Sequence, residues 1–264
     1  MAAHLDVAQQ DASLILTISN PGVRNALSPD IYPALEAALA RAATDSTIAS
    51  VIITGADGFF SAGGDLRRLL ANRSEPPSVQ ASSIDRLHAM ISAVIACPKP
   101  VIAAVECAAA GAGYSLALAC DLIVAAQDAK FVMAYVNVGL SPDGGGSWQV
   151  LAALPRRLAM EQLLTGAPLL ASRLYEVGAI NQICAAGTAL EHALALASKI
   201  GALSPHAVSA AKKLAQDAGS RTLKDHMNFE KDSFVECLHG PEAGEAINAF
   251  LAKRAPRFGH QLDG

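Results

Sequence analysis

Residues 101–126 are apolar almost without interruption, and this stretch limits the possible folds more than any other part of the chain. Pro100-Val101-Ile102-Ala103-Ala104-Val105 and Asp121-Leu122-Ile123-Val124-Ala125 are short runs without polar alternation. Between them lie a segment of Ala and Gly and a helical pattern over residues 114–120. A strand apolar at every position is buried on both faces, and two such strands linked through a helix imply a parallel sheet covered by helices on each side. The length would also suit a membrane span. Glu106, Asp121, two glycines and many alanines make it a poor one, so the stretch reads as strand, loop, helix and strand.

The flanking sequence continues this alternation. Ser13-Leu14-Ile15-Leu16-Thr17-Ile18 reads as a strand ended by Asn20-Pro21-Gly22, and Ser28-Pro29 as the start of a helix. Ser50-Val51-Ile52-Ile53-Thr54 reads as a second strand closed by Gly55. Residues 72–83, with Pro76-Pro77 and several serines, lack a period and read as a mobile surface loop. Beyond about residue 190 only helical patterns remain, at 191–200, 205–217, 223–237 and 241–254. The expected division is therefore a catalytic α/β core over 1–190 and a helical region over 191–264.

Composition removes several function classes. Of the 264 residues 52% are hydrophobic, 5% aromatic and 17% charged, and about one in five is Ala, which excludes a disordered chain. With 20 basic and 24 acidic residues the formal charge is -4, so no nucleic-acid or anionic-membrane partner is expected. The five cysteines are scattered, without CxxC or zinc spacing, and read as reduced core thiols of a cytoplasmic protein. No basic and then apolar leader opens the sequence.

Three Gly-rich loops could carry chemistry. Phe59-Phe60-Ser61-Ala62-Gly63-Gly64-Asp65-Leu66 passes from a strand to a helix, where free backbone N–H groups favour developing negative charge; an ordinary Gly-Gly turn with Asp65 as helix cap reads equally well. Ala108 to Ser115 contains Gly111-Ala112-Gly113, a weak dinucleotide fingerprint whose third glycine is replaced by Leu116. Gly113-Tyr114-Ser115-Leu116-Ala117 approximates a nucleophile elbow, but Ser115 stands too far past Val105. Gly139-Leu140-Ser141-Pro142-Asp143-Gly144-Gly145-Gly146 places one acid among turn residues. Asp143 is either a turn or cap residue, or a carboxylate that a substrate can approach closely.

Together with Asn20-Pro21-Gly22-Val23-Arg24-Asn25-Ala26-Leu27, Leu163-Leu164-Thr165-Gly166 and the final helix from Glu245 to Arg254, these loops resemble the crotonase superfamily, the enoyl-CoA hydratases and isomerases. The resemblance covers nearly the whole chain. It implies a spiral of ββα turns, C-terminal helices that build a homotrimer or a hexamer of two trimers, and an acyl-CoA thioester substrate. No cofactor or metal is implied, CoA being part of the substrate. It further implies that the N–H groups of Gly64 and Ala112 hold the thioester oxygen as it becomes an enolate, each contributing roughly 3 kcal/mol. Arg24, Ala26, Ala62, Asp65 and Leu66 would line the CoA, with Phe250 and Lys253 toward the nucleotide end; for Lys253 a solvated helix face reads as well. Ala112 stands where the family usually has Gly.

Hydratases of the family use two glutamates, and the surrounding motifs align Ser115 and Tyr135 with them. Neither replaces a carboxylate pair in adding water. Asp143 sits where the family's isomerases carry their acid. The loops look most like those of the phenylacetate-pathway isomerases, which rearrange ring-1,2-epoxyphenylacetyl-CoA and also shift Δ3 double bonds to Δ2. The expected activity is acyl-CoA isomerisation with Asp143 as acid and base. The alternatives are hydratase or other lyase activity, a catalytically silent acyl-CoA-binding subunit and, more distantly, a serine hydrolase.

Overall fold

The structure, a computed structural model, describes residues 2–258. The chain opens with a hairpin, β1 (His4–Gln10) and β2 (Ser13–Ser19), followed by α1 (Tyr32–Thr44) and β3 (Ser50–Gly55). Helices α2 (Leu66–Asn72) and α3 (Pro77–Ala96) lead to β4 (Val101–Val105), β5 (Ala108–Ala110), α4 (Ala112–Ala119), β6 (Leu122–Ala126) and β7 (Lys130–Val132). After α5 (Gly146–Ala153), α6 (Arg156–Thr165), β8 (Leu169–Leu170), α7 (Ala171–Glu176) and β9 (Gln182–Cys184) come four helices, α8 (Ala189–Gly201), α9 (Pro205–Asp217), α10 (Leu223–His239) and α11 (Pro241–Leu251).

A six-stranded sheet runs in the order β1-β2-β3-β4-β6-β9, antiparallel only between β1 and β2. A small second sheet, β5-β7-β8, stands beside it. The pleat divides the apolar runs between two faces. Val51, Ile53, Val101, Ala103 and Val105 join the large core under α1 and α3, whereas Ile52, Ile102, Ala104 and Val124 face α8. Helix α8 meets that face with Ala189, Ala193 and Ala197, four residues apart, and their small side chains let it lie close to the strands.

The parallel sheet is observed, as is the strand-loop-helix-strand reading of 101–126 except that the expected loop contains the short strand β5, and no described helix is long and apolar enough to cross a membrane. Four expectations need correction. The stretch 72–83 is mostly helix: Pro77 occupies the first turn of α3, where its missing N–H costs nothing, and Ser83, Leu87, Met90, Ile91 and Val94 form a buried stripe. The first helix starts at Tyr32 with Pro33 in its opening turn, while Ser28-Pro29 belongs to the preceding turn. Helix α8, grouped by sequence with the C-terminal region, is part of the core layer. Cys107 is exposed, in a left-handed backbone conformation, whereas Cys97, Cys120 and Cys184 are buried as expected.

Candidate active site

Two strand-to-helix loops are sewn together at the end of the large sheet. Ser61 N–H donates to Ala108 O at 3.2 Å, and Ala110 N–H donates back to Ser61 O at 2.9 Å. Gly63, at φ +85°, continues along the same seam: a Cβ there would stand 2.4 Å from Ala110 O and 2.9 Å from Ala112 N. Gly113 completes the fit, since a Cβ on it would meet Ser61 Cβ at 2.7 Å. Only glycine permits this approach, which brings the loop at Gly63 and Gly64 against the start of α4 at Ala112. Among the described residues neither the Gly64 N–H nor the Ala112 N–H donates a hydrogen bond to the protein. Ala112 is the first residue of α4, so its N–H is one of the helix's unpaired donors. The left-handed conformation falls on Gly111, at φ +50°, which is why Ala is accommodated at the next position.

The loop before α1 buttresses this seam. Ala62 N–H donates to Arg24 O at 2.9 Å and Leu27 N–H to Gly63 O at 2.7 Å. Asn25, left-handed and buried, donates to Ala56 O at 2.8 Å and Phe59 O at 2.6 Å, and Ser61 Oγ donates to Asn25 O at 2.8 Å. Arg24, Ala26, Ala62, Gly64, Asp65 and Leu66 therefore come from two loops held as one piece. Asp65 also caps α2, accepting from Arg67 N–H at 2.9 Å, and Leu66 projects into solvent. Phe250 lies on α11, which packs on α10, and is 83% exposed; Lys253 follows in the left-handed turn that ends this helix.

The acid comes from the third loop. Asp143 is half-buried, and its carboxylate does not cap α5, whose N-cap is Gly145. Instead Oδ1 accepts from the Tyr135 hydroxyl at 2.7 Å, while the Asp143 carbonyl accepts from Ser115 Oγ at 3.1 Å. Ser115 and Tyr135 hydroxyls lie 3.3 Å apart. The Tyr135 ring stands 3.8 Å from where a Cβ on Gly111 would be, so this phenol links the donor pair to the acid. Burial, and then the negative charge of Asp143, push the Tyr135 hydroxyl far above its ordinary range, so it stays protonated as a donor. The glycines after Asp143 again serve close approach, because a Cβ on Gly146 would fall 2.4 Å from Ser115 Oγ.

Ser115 itself is fully buried, and its hydroxyl contacts the carbonyls of Gly111 and Asp143 and the phenol of Tyr135, with no histidine among its partners. It lacks the base an activated serine needs. No group of three or more potential metal ligands occurs among the described residues.

The site thus combines two backbone N–H groups that are unpaired among the described residues with a carboxylate held by Tyr135. Residues 9–261 match the family described as enoyl-CoA hydratase/isomerase. The chain belongs to this family. It is 34% identical to 2,3-dehydroadipyl-CoA hydratase of Escherichia coli over 97% of this chain and 98% of that protein. It is 33% identical to 1,2-epoxyphenylacetyl-CoA isomerase of the same organism, over 93% and 94%. A crystal structure of an enoyl-CoA hydratase from Polaromonas sp. JS666 superposes with a TM-score of 0.95 at 50% identity, covering 97% of this chain and all of that one. The crotonase fold expected from the sequence is thus observed. The pairing of Tyr135 with Asp143 was not foreseen, although the sequence had aligned Tyr135 and Ser115 with the two glutamate positions of the family's hydratases.

Proposed function

We propose that this member of the enoyl-CoA hydratase/isomerase family is an acyl-CoA isomerase in which Asp143 is the acid and base. The observation that carries this reading is the company Asp143 keeps: the side chains hydrogen-bonded to it are those of Ser115, on its carbonyl, and Tyr135, on its carboxylate, and among the described residues no second carboxylate joins this network. In a Δ3 to Δ2 shift the Asp143 carboxylate takes a proton from C2 of the thioester. Electrons move onto the thioester oxygen, where the N–H groups of Gly64 and Ala112 hold the dienolate, and Asp143 then returns the proton to C4. One acid suffices because the proton leaves and arrives on the same substrate. Rearrangement of a ring-1,2-epoxyphenylacetyl-CoA would use the same enolate.

Arg24, Ala26, Ala62, Asp65 and Leu66 line the CoA in this reading, and Phe250 and Lys253 meet its nucleotide end. Copies pair into a homotrimer, or a hexamer of two trimers, through the C-terminal helices. Support comes from the apolar side chains they expose, among them Leu223, Phe234, Phe250 and Leu251.

Asp143→Asn keeps the shape of the carboxyl and removes its basicity. Its kcat for converting a 3-enoyl-CoA to the conjugated ester should fall at least ~100-fold. Full activity would overturn the mechanism. Consumption of water from a 2-enoyl-CoA faster than isomerisation would favour the hydratase reading, and saturable binding without turnover of any ester would favour a silent acyl-CoA binder.

A further inference from the structure

The guanidinium of Arg68, in the first turn of α2, is a charge that no ion pair among the described residues neutralises. One of its terminal nitrogens donates to Ser83 Oγ at 3.0 Å, and Ser83 is buried on α3. Its Nε is buried and has no hydrogen-bond partner, and no ion pair among the described residues includes it. A half-buried cation with an unmet donor is costly unless something anionic arrives to meet it.

Arg68 lies near the candidate acid. Leu87, one helical turn beyond Ser83 on the same buried stripe of α3, stands 3.6 Å from where a Cβ on Gly144 would be, and Gly144 follows Asp143. The buried hydroxyl of Tyr32, at the start of α1, feels the charges of Arg68, Asp143 and Arg86 together, so all four groups border one region. Asp143 must act on the carbons next to the thioester. An anionic ligand group that reaches Arg68 therefore belongs to the far end of the acyl chain.

We infer that Arg68 binds a carboxylate at the distal end of the acyl group, which makes the substrate class the CoA thioesters of unsaturated dicarboxylic acids. A planar guanidinium whose terminal nitrogens carry donors beyond the single bond to Ser83 suits a carboxylate bound through both oxygens. This inference rests on the acyl-CoA reading of the site, though not on which reaction follows.

Binding of saturated esters tests it without any turnover. Calorimetry on the full chain would compare adipoyl-CoA, hexanoyl-CoA and free CoA. Adipoyl-CoA should bind about tenfold more tightly than hexanoyl-CoA, and Arg68→Met should bring that ratio close to one, with Arg68→Lys between. Equal binding of the two esters by the unaltered protein would overturn the inference. So would an Arg68→Met variant that loses affinity for adipoyl-CoA, hexanoyl-CoA and CoA by one common factor, since that places the guanidinium on the CoA phosphates. A preference for adipoyl-CoA in a protein that shifts no double bond would sustain the inference and defeat the isomerase mechanism. Isomerisation of 3-hexenoyl-CoA without the preference would do the reverse.

Discussion

The hydroxyl of Tyr135 donates to Oδ1 of Asp143 at 2.7 Å, and among the described residues no hydrogen bond engages the other carboxylate oxygen. A carboxylate on a loop with three successive glycines would otherwise be free to rotate. Tyr135→Phe removes the bond and keeps the ring. A hydrogen bond to a charged group contributes about 1.5 kcal/mol or more, so kcat for double-bond migration should drop roughly tenfold while KM changes little. Steady-state kinetics would check this; an unchanged kcat would show that Tyr135 is only packing.

Gly63 sets the separation of the two donors. Gly63→Ala forces a Cβ against Ala110 O and Ala112 N, so it should cost about 100-fold in kcat, comparable to loss of one oxyanion donor. Gly58 is the control: it also has a positive φ, +68°, but open space around it. Gly58→Ala should lower stability by about 1–2 kcal/mol and leave kcat intact. If both variants lose activity alike, backbone strain rather than donor spacing is responsible.

Lys212 of α9 ties the C-terminal helices to the sheet. Its Nζ lies 2.6 Å from Asp121 Oδ2 and 3.1 Å from the carbonyl of Lys99, and its side chain is 8% exposed. Burial outweighs this ion pair and raises the Asp121 carboxyl above the ordinary carboxylate range. Lys212→Met would leave the Asp121 charge without its partner and should destabilise the fold by about 3 kcal/mol in urea unfolding. A change below 0.5 kcal/mol would show that water replaces the lysine.

The tail after α11 is held by Glu245, which accepts from Arg254 at 2.7 Å and from the Arg257 N–H at 2.9 Å. The side-chain bond from Arg254, then that backbone N–H, pull the Glu245 pKa from 4.5 down to about 2. A depressed carboxylate stabilises its partners above the unfolded value and ceases to do so as the pH falls through the folded one. Pepsin cleavage of this tail should therefore rise between pH 4.5 and about pH 2. In Glu245→Gln, trypsin should cut at Arg254 faster at neutral pH. A cleavage rate identical in the two proteins would exclude the latch.

Much of the fold is legible in the amino-acid sequence. Uninterrupted apolar runs at 51–53, 101–105 and 122–125 require a sheet buried on both faces, because no other placement hides every side chain of a strand. The glycines at 63, 113, 144 and 146 likewise mark close backbone contacts, since a side chain at any of them would meet its neighbour at 3.2 Å or less. Local pattern erred where a serine-rich helix start resembled a loop, at 77–83, because helix propensity there is weak and the stability comes from burying Leu87 and Met90 one and two turns later.

What tertiary structure alone decided is which polar groups meet. Sequence identifies Asp143, Tyr135, Ser115 and Arg68 as residue types, but hydrogen bonds and unpaired charges depend on positions within a few tenths of an ångström, which arise only when α3, α4 and the loop before α5 pack together. The hydrophobic pattern therefore sets the scaffold, since burial is non-directional and follows residue type. The site is directional, and its geometry exists only in the folded chain.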